Sequence, residues 1–216
     1  FWLGSGLVIL AAVFVFIFIR EPKVYEENPQ AERPSLIKSL SGILKDKDKS
    51  AIRIFLAIMF WFIAYNAIEA FFTLYANKHL GLPEADGVRL LSQLSLLFVI
   101  FALPSGFIGG KIGRRKTISI GILLMAFCML LMAILPVDLL INVLFTAPVL
   151  GEVPVVGIVL MLAGIAWAFI NINSLPMVVD LTDAIHIGTY TGLYYLFSTL
   201  AAILGHNING WVVELA

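Results

Sequence analysis

The chain is 216 residues long, 61% apolar and 13% charged, with a mean hydropathy of +1.00. Soluble domains are nearer half apolar and a quarter charged, so this composition excludes a disordered chain, a secreted disulfide scaffold and an ordinary soluble enzyme. Fourteen basic and fourteen acidic residues cancel, giving no pull toward nucleic acid, and the single cysteine, Cys128, excludes an internal disulfide.

The apolar residues fall in blocks of about 20, the length that crosses a hydrocarbon core of about 30 Å as a helix. Six spans are predicted, at 1–19, 54–76, 90–110, 117–135, 155–179 and 188–213. The blocks are too long and too evenly apolar for barrel strands, so the expected fold class is all-α, a polytopic transmembrane helix bundle. The first block opens on Phe1 with no basic leader, which reads as an internal piece of a longer protein rather than a signal peptide.

Between the first two spans, residues 20–53 form the long polar connection. Pro22, Pro29 and four glutamates mark 21–33 as a flexible linker. Leu36, Ile37, Leu40, Ile43 and Leu44 then make one helical stripe, which suits a short amphipathic helix at the membrane surface or, alternatively, a solvated loop. Eight basic residues lie in 20–53 and four in 111–116 (Lys111, Arg114, Arg115, Lys116), while the loop 137–154 has none. Basic residues gather on the cytoplasmic side, so both basic loops are expected there, with the acidic loop 180–187.

The second span holds Glu69, the one acid or base placed within a span. Asn66, Glu69, Thr73 and Asn77 fall within an arc of about 80°, with Tyr65 and Phe62 on its flank. An intramembrane acid faces a bundle interior or a water path; Glu69 either bonds a neighbouring helix or handles a ligand or proton. The third and fifth spans carry kinking prolines, Pro104 and Pro176. In the fifth, Trp167, Asn171 and Ser174 share a face with Gly164: an indole beside amides suits a sugar ring, and equally a packed interfacial tryptophan. The sixth aligns Thr191, Tyr194, Ser198, Ala202, Gly205 and Asn209, with His206 toward its outer half as a coupling or a packing group. Gly106, Gly109, Gly110 and Gly113 end a span and follow no strand, so they do not read as a nucleotide turn. No Walker loop and no metal-spaced His/Cys cluster occurs, and no cofactor is expected.

The run from Gly106 through Lys111, Gly113, Arg114 and Arg115 to Lys116 resembles the loop signature of the major facilitator superfamily, with Gly110 where that pattern has Asp. The resemblance implies that the missing Asp marks the degraded second copy, so that the six spans are helices 6–11 of a twelve-helix transporter. Residues 1–20 would then be the last helix of the N-terminal half, 21–53 the central cytoplasmic loop, and 54–216 a C-terminal half bundle of five spans without its final helix. More narrowly, Trp61, Tyr65, Asn66 and Glu69, with Pro176, Asp180 and the run Gly188–Gly192, resemble the sugar:cation symporters of the glycoside–pentoside–hexuronide and sucrose-transporter-like group. This implies alternating access about a midplane site. Substrate would be bound by Tyr65, Asn66, Glu69, Trp167, Asn171 and Tyr194, with coupling of a proton or sodium at Glu69. Lys111, Gly113, Arg114, Arg115 and Asp180 would form a conformational gate. The expected partners are a small solute, a sugar, with the coupling ion, the lipid bilayer and the absent N-terminal half; the expected location is the cell membrane. A channel or non-transporting receptor on the same helices is the main rival, and a membrane transferase with Asp180 and Asp183 on a metal a lesser one.

Overall fold

The computed structural model describes residues 2–18, 36–45, 48–148, 150–184 and 186–215. The linker expected at 21–33 lies outside them. Two compact units divide at residue 34. The first contains helix α1, Trp2–Phe18, uncharged, with the Phe14 and Phe18 rings 4.7 Å apart. At about 1.5 Å per residue its 17 residues extend roughly 26 Å, just under the hydrocarbon thickness.

The second unit begins with α2, Leu36–Lys45, on the predicted amphipathic stripe. Ile43 is buried and α2 lies against two later helices, α3 and α8, while Leu44 stays exposed. Five helices long and apolar enough to cross a membrane follow: α3 (Ser50–Lys78), α4 (Glu84–Ile112), α5 (Arg114–Ile134), α7 (Val155–Val179) and α8 (Ile187–Leu215). Each covers a predicted span, α5 stopping one residue short of the expected 135, while α3 and α4 run to 29 residues, beyond the apolar blocks. The polar end of α3 stays helical up to Lys78, shortly before Gly81 turns the chain at φ +69°, and α4 runs from just after Pro83 to just before Gly113. Glu84 and Asp86 in the first turn of α4 also favour that helix start.

Long apolar side chains cover much of the helix exteriors, as membrane solvation allows. The interior is centred on α7, more than half buried over its span, which packs most extensively on α4 and α5. Small residues make this close approach possible. A Cβ on Gly164 would overlap the Leu94 carbonyl of α4, and one on Gly121 of α5 would come within 2.8 Å of the Ala166 carbonyl. Ser105 of α4 donates Oγ–H to the Ala168 carbonyl at 3.0 Å, binding the pair where Pro104 leaves the helix a donor short. In contrast, α3 has one extensive long neighbour, α8, and an apolar groove runs along it opposite α5.

The 137–154 connection, read as a loop, is structured. It forms a four-residue helix α6, Val137–Leu140, and an antiparallel hairpin of β1 (Val143–Ala147) and β2 (Gly151–Pro154), with a bulge between Val143 and Phe145. Gly151 has φ +69°, a conformation that disfavours any side chain at the turn.

Candidate functional site

Two groups of residues draw attention, one at mid-bundle and one where α4 turns into α5.

At mid-bundle, Tyr65 of α3 and Trp167 of α7 stack with ring centroids 3.8 Å apart and planes 3° apart. Phe62, one turn earlier on α3, meets the indole edge-on at 5.2 Å and the Tyr194 ring of α8 at 6.2 Å. The Tyr194 hydroxyl lies 2.9 Å from Ser174 Oγ, and both side chains are buried. Ser174 also donates to the Asn171 carbonyl at 2.8 Å. An aromatic cluster thus joins three helices, on residues spaced by helical turns along each.

The amides behave differently. Asn66 donates Nδ2 to the Phe62 carbonyl of its own helix at 2.7 Å, and it lies where Gly205 lets α8 approach. Asn171 is half-buried. The deeply placed amide is Asn173, two positions on and 2% exposed, which donates to the Ser105 carbonyl at 3.2 Å and the Phe169 carbonyl at 3.0 Å. It fills the space left by Gly109, where a Cβ would collide with it. The face pattern in the sequence points to Asn171, whereas the enclosed amide is Asn173. The readable signal was the small Gly109 in the facing helix, whose missing side chain needs a filler.

Glu69 is exposed on the bundle surface, and shares a hollow of about 70 Å³ with Tyr65, Ser95, Ile68, Leu91 and Leu94. That is room for one or two waters at about 30 Å³ each, far below the roughly 300–1,000 Å³ of ligand pockets. Hollows of about 470 and 730 Å³ lie along the α3–α5 groove, walled mainly by Ala, Ile, Leu, Met and aromatic side chains. Their few polar side chains include Tyr65 and Trp61 in the smaller hollow and Tyr75, Lys78 and His79 in the larger one, so apolar surface dominates both. Tyr65 borders both the Glu69 hollow and the larger groove. His206 donates Nδ1–H to the Ala202 carbonyl at 2.7 Å in its own helix.

At the α4–α5 turn a single residue, Gly113, separates two long helices. Its φ of +96° strains any residue with a side chain. The turn aims Arg114 at the far end of α7, where Arg114 Nε lies 2.8 Å from Asp180 Oδ2. Lys111, Arg115 and Lys116 remain exposed around it. Asp183, the other carboxylate of that loop, pairs with His186 Nδ1 at 2.6 Å. The two acids of the metal-site alternative are therefore each engaged by a base, and among the described residues no group of three metal-ligating side chains occurs.

Membrane-length helices around an aromatic and polar midsection, with a one-residue turn flanked by basic residues and clamped at one end, define a polytopic membrane helix bundle. A family model described as the Major Facilitator Superfamily matches residues 1–206, and the chain belongs to that superfamily. Over 101 residues it is also 31% identical to the dipeptide and tripeptide permease A of Serratia proteamaculans (strain 568). That match takes in 46% of this chain and 19% of the permease, so the chain spans a minor part of the curated relative.

Proposed function

We propose that this chain is the C-terminal part of a secondary transporter that carries a small polar solute by alternating access, coupled to a proton or sodium at Glu69. The observation that carries the reading is the Tyr65–Trp167 stack with Glu69 beside it. One face of the indole is covered by Tyr65. A sugar would therefore lie on the far side of the tyrosine, with Trp167 as rigid backing, and Asn66, Asn171 and Tyr194 close by for its hydroxyls. The hollow at Glu69 is too small for a sugar ring, so the solute site forms between this wall and the N-terminal half. The apolar groove on α3, the long helix with one extensive neighbour where α7 has two, would seat a further helix of the same protein.

Arg114 and Asp180 act as the gate, on the side we assign to the cytoplasm together with residues 21–53. A second substrate class, short peptides, is favoured by the permease similarity. Counterflow by the full-length protein in proteoliposomes separates the two. Saturable exchange of mono- or disaccharides supports the sugar reading, exchange of di- and tripeptides replaces it, and flux without saturation indicates a channel. Glu69→Gln should abolish pH- or sodium-driven accumulation while leaving exchange partly intact. Accumulation that survives this change would place coupling in the other half.

A further inference from the structure

The hairpin between α5 and α7 is held from one side only. Val153 of β2 is fully buried, Gln93 of α4 donates Nε2 to the Leu150 carbonyl at 3.0 Å, and Val155 N–H bonds the Asn142 carbonyl at 3.1 Å. The other strand, β1, presents Val143, Leu144 and Phe145 at 45%, 54% and 48% exposure. An apolar edge strand in water is a site of unwanted pairing. Charge and continuity indicate what covers this one.

The connection 137–154 contains no Lys, Arg or His, and its acids are Asp138 and Glu152. The connection itself offers no counter-ion to an acidic protein or a lipid phosphate, and Arg89 of α4, which lies against the Gly151 turn, is already paired with Asp86 at 3.1 Å. The connection does continue a lipid-facing surface. Leu123, Phe127, Leu130 and Ile134 are exposed at helical spacing along α5, and the chain passes through exposed Leu139 directly into β1. The stripe on α5 belongs to a membrane-length helix, and the short connection through α6 is all that separates its end from β1. Only the hydrocarbon core forbids an open strand edge; in the headgroup region water and ester groups can bond its outward N–H and C=O groups.

We propose that β1 is an interfacial wedge, with Leu144 and Phe145 set in the headgroup–acyl boundary of the leaflet at the hairpin end, recognising apolar depth rather than lipid charge. The wedge fixes the depth at which α5 and α7 enter the bilayer. The proposal rests on the chain being a membrane protein and not on the transported solute.

The test uses the whole protein in phosphatidylcholine vesicles, with Cys128→Ser as background and a nitroxide on Phe145→Cys or, for comparison, on Glu152→Cys. Collision with oxygen, which concentrates in lipid, is compared with collision with a water-soluble nickel chelate. Position 145 should favour oxygen, at a depth of about 5–10 Å below the headgroup boundary. Position 152 should favour the chelate, and added anionic lipid should change neither. A label at 145 as open to the chelate as that at 152 overturns the proposal in favour of a solvated hairpin. A label at 145 shielded from both reagents overturns it in favour of a protein partner. Should Phe145→Cys fail to assemble, Leu144→Cys gives the same reading.

Discussion

Asp180→Asn removes the acceptor for Arg114 while keeping the size of the side chain. The pair is 2.8 Å long, but its members are 35% and 58% exposed, so water screens it. Ion pairs of this exposure contribute about 0.2–1 kcal/mol, which corresponds to a shift of about 1.4- to fivefold in a two-state ratio. Asp180 also stands beside the start of α5, whose first residue is Arg114. A carboxylate near a helix N-terminus gains a further contribution of about 0.3–1 kcal/mol. Asp180 is also the C-cap of α7, where the dipole opposes a carboxylate by a similar amount, so the two dipole effects offset and loss of the ion pair dominates both Asp180→Asn and Arg114→Gln. Spin-label distances across the Arg114 end of the full-length protein read the ratio directly. The open population should rise by a similar factor in both variants, and the double variant should resemble either one alone. Unchanged distance distributions, or additive effects of the two substitutions, would refute the gate.

Other expectations follow from the packing and from one titration. Gly164→Ala puts a methyl into the Leu94 carbonyl of α4, an overpacking that should cost about 1–3 kcal/mol and lower the thermal midpoint in detergent; an unaltered midpoint would mean that α4 and α7 are not in close contact there. Ser174→Ala strands the buried Tyr194 hydroxyl, whereas Tyr194→Phe leaves Ser174 its bond to the Asn171 carbonyl. The serine variant should therefore lose about 1–3 kcal/mol and the tyrosine variant less, and the reverse order in denaturation midpoints would break the assignment. Ahead of α3, Asp48 accepts hydrogen bonds from the hydroxyl and backbone N–H of Ser50, which hold its carboxyl below the ordinary carboxylate value. A lowered pKa means support that is present at neutral pH and fades as the pH falls through that lowered value. The stability difference between the protein and Asp48→Asn should thus be visible at pH 7 and shrink on acidification; a difference that grows in acid would contradict the sign.

The bundle was legible because membrane burial writes itself into sequence as uninterrupted apolar blocks, and among the described residues each block falls on one helix to within a residue. Helix ends were less so: α3 and α4 continue through polar residues that contribute nothing to hydropathy. The hairpin was missed because its β-prone residues were embedded in a connection judged by charge alone, although Pro148 and Gly151 mark its turn. On α7, Asn171 was picked from a face pattern, yet a helix buried on nearly every side has no single inward face. The facing Gly109 decides instead which amide is enclosed. The meeting of Arg114 and Asp180 was within reach, because alternating spans put both at one end of the bundle.

Transport through this bundle requires Glu69 to face a water-filled path that opens to each side in turn. A cysteine at position 69 in the full-length protein, probed with a charged, membrane-impermeant thiol reagent, measures this. It should react from either side of the membrane, with the favoured side switching in the Asp180→Asn variant and with protection by the transported solute. A cysteine at Leu123, 71% exposed on the lipid-facing stripe of α5, should stay unreactive. If position 69 proves as inert as position 123, Glu69 faces lipid or packed protein and the transport path lies elsewhere.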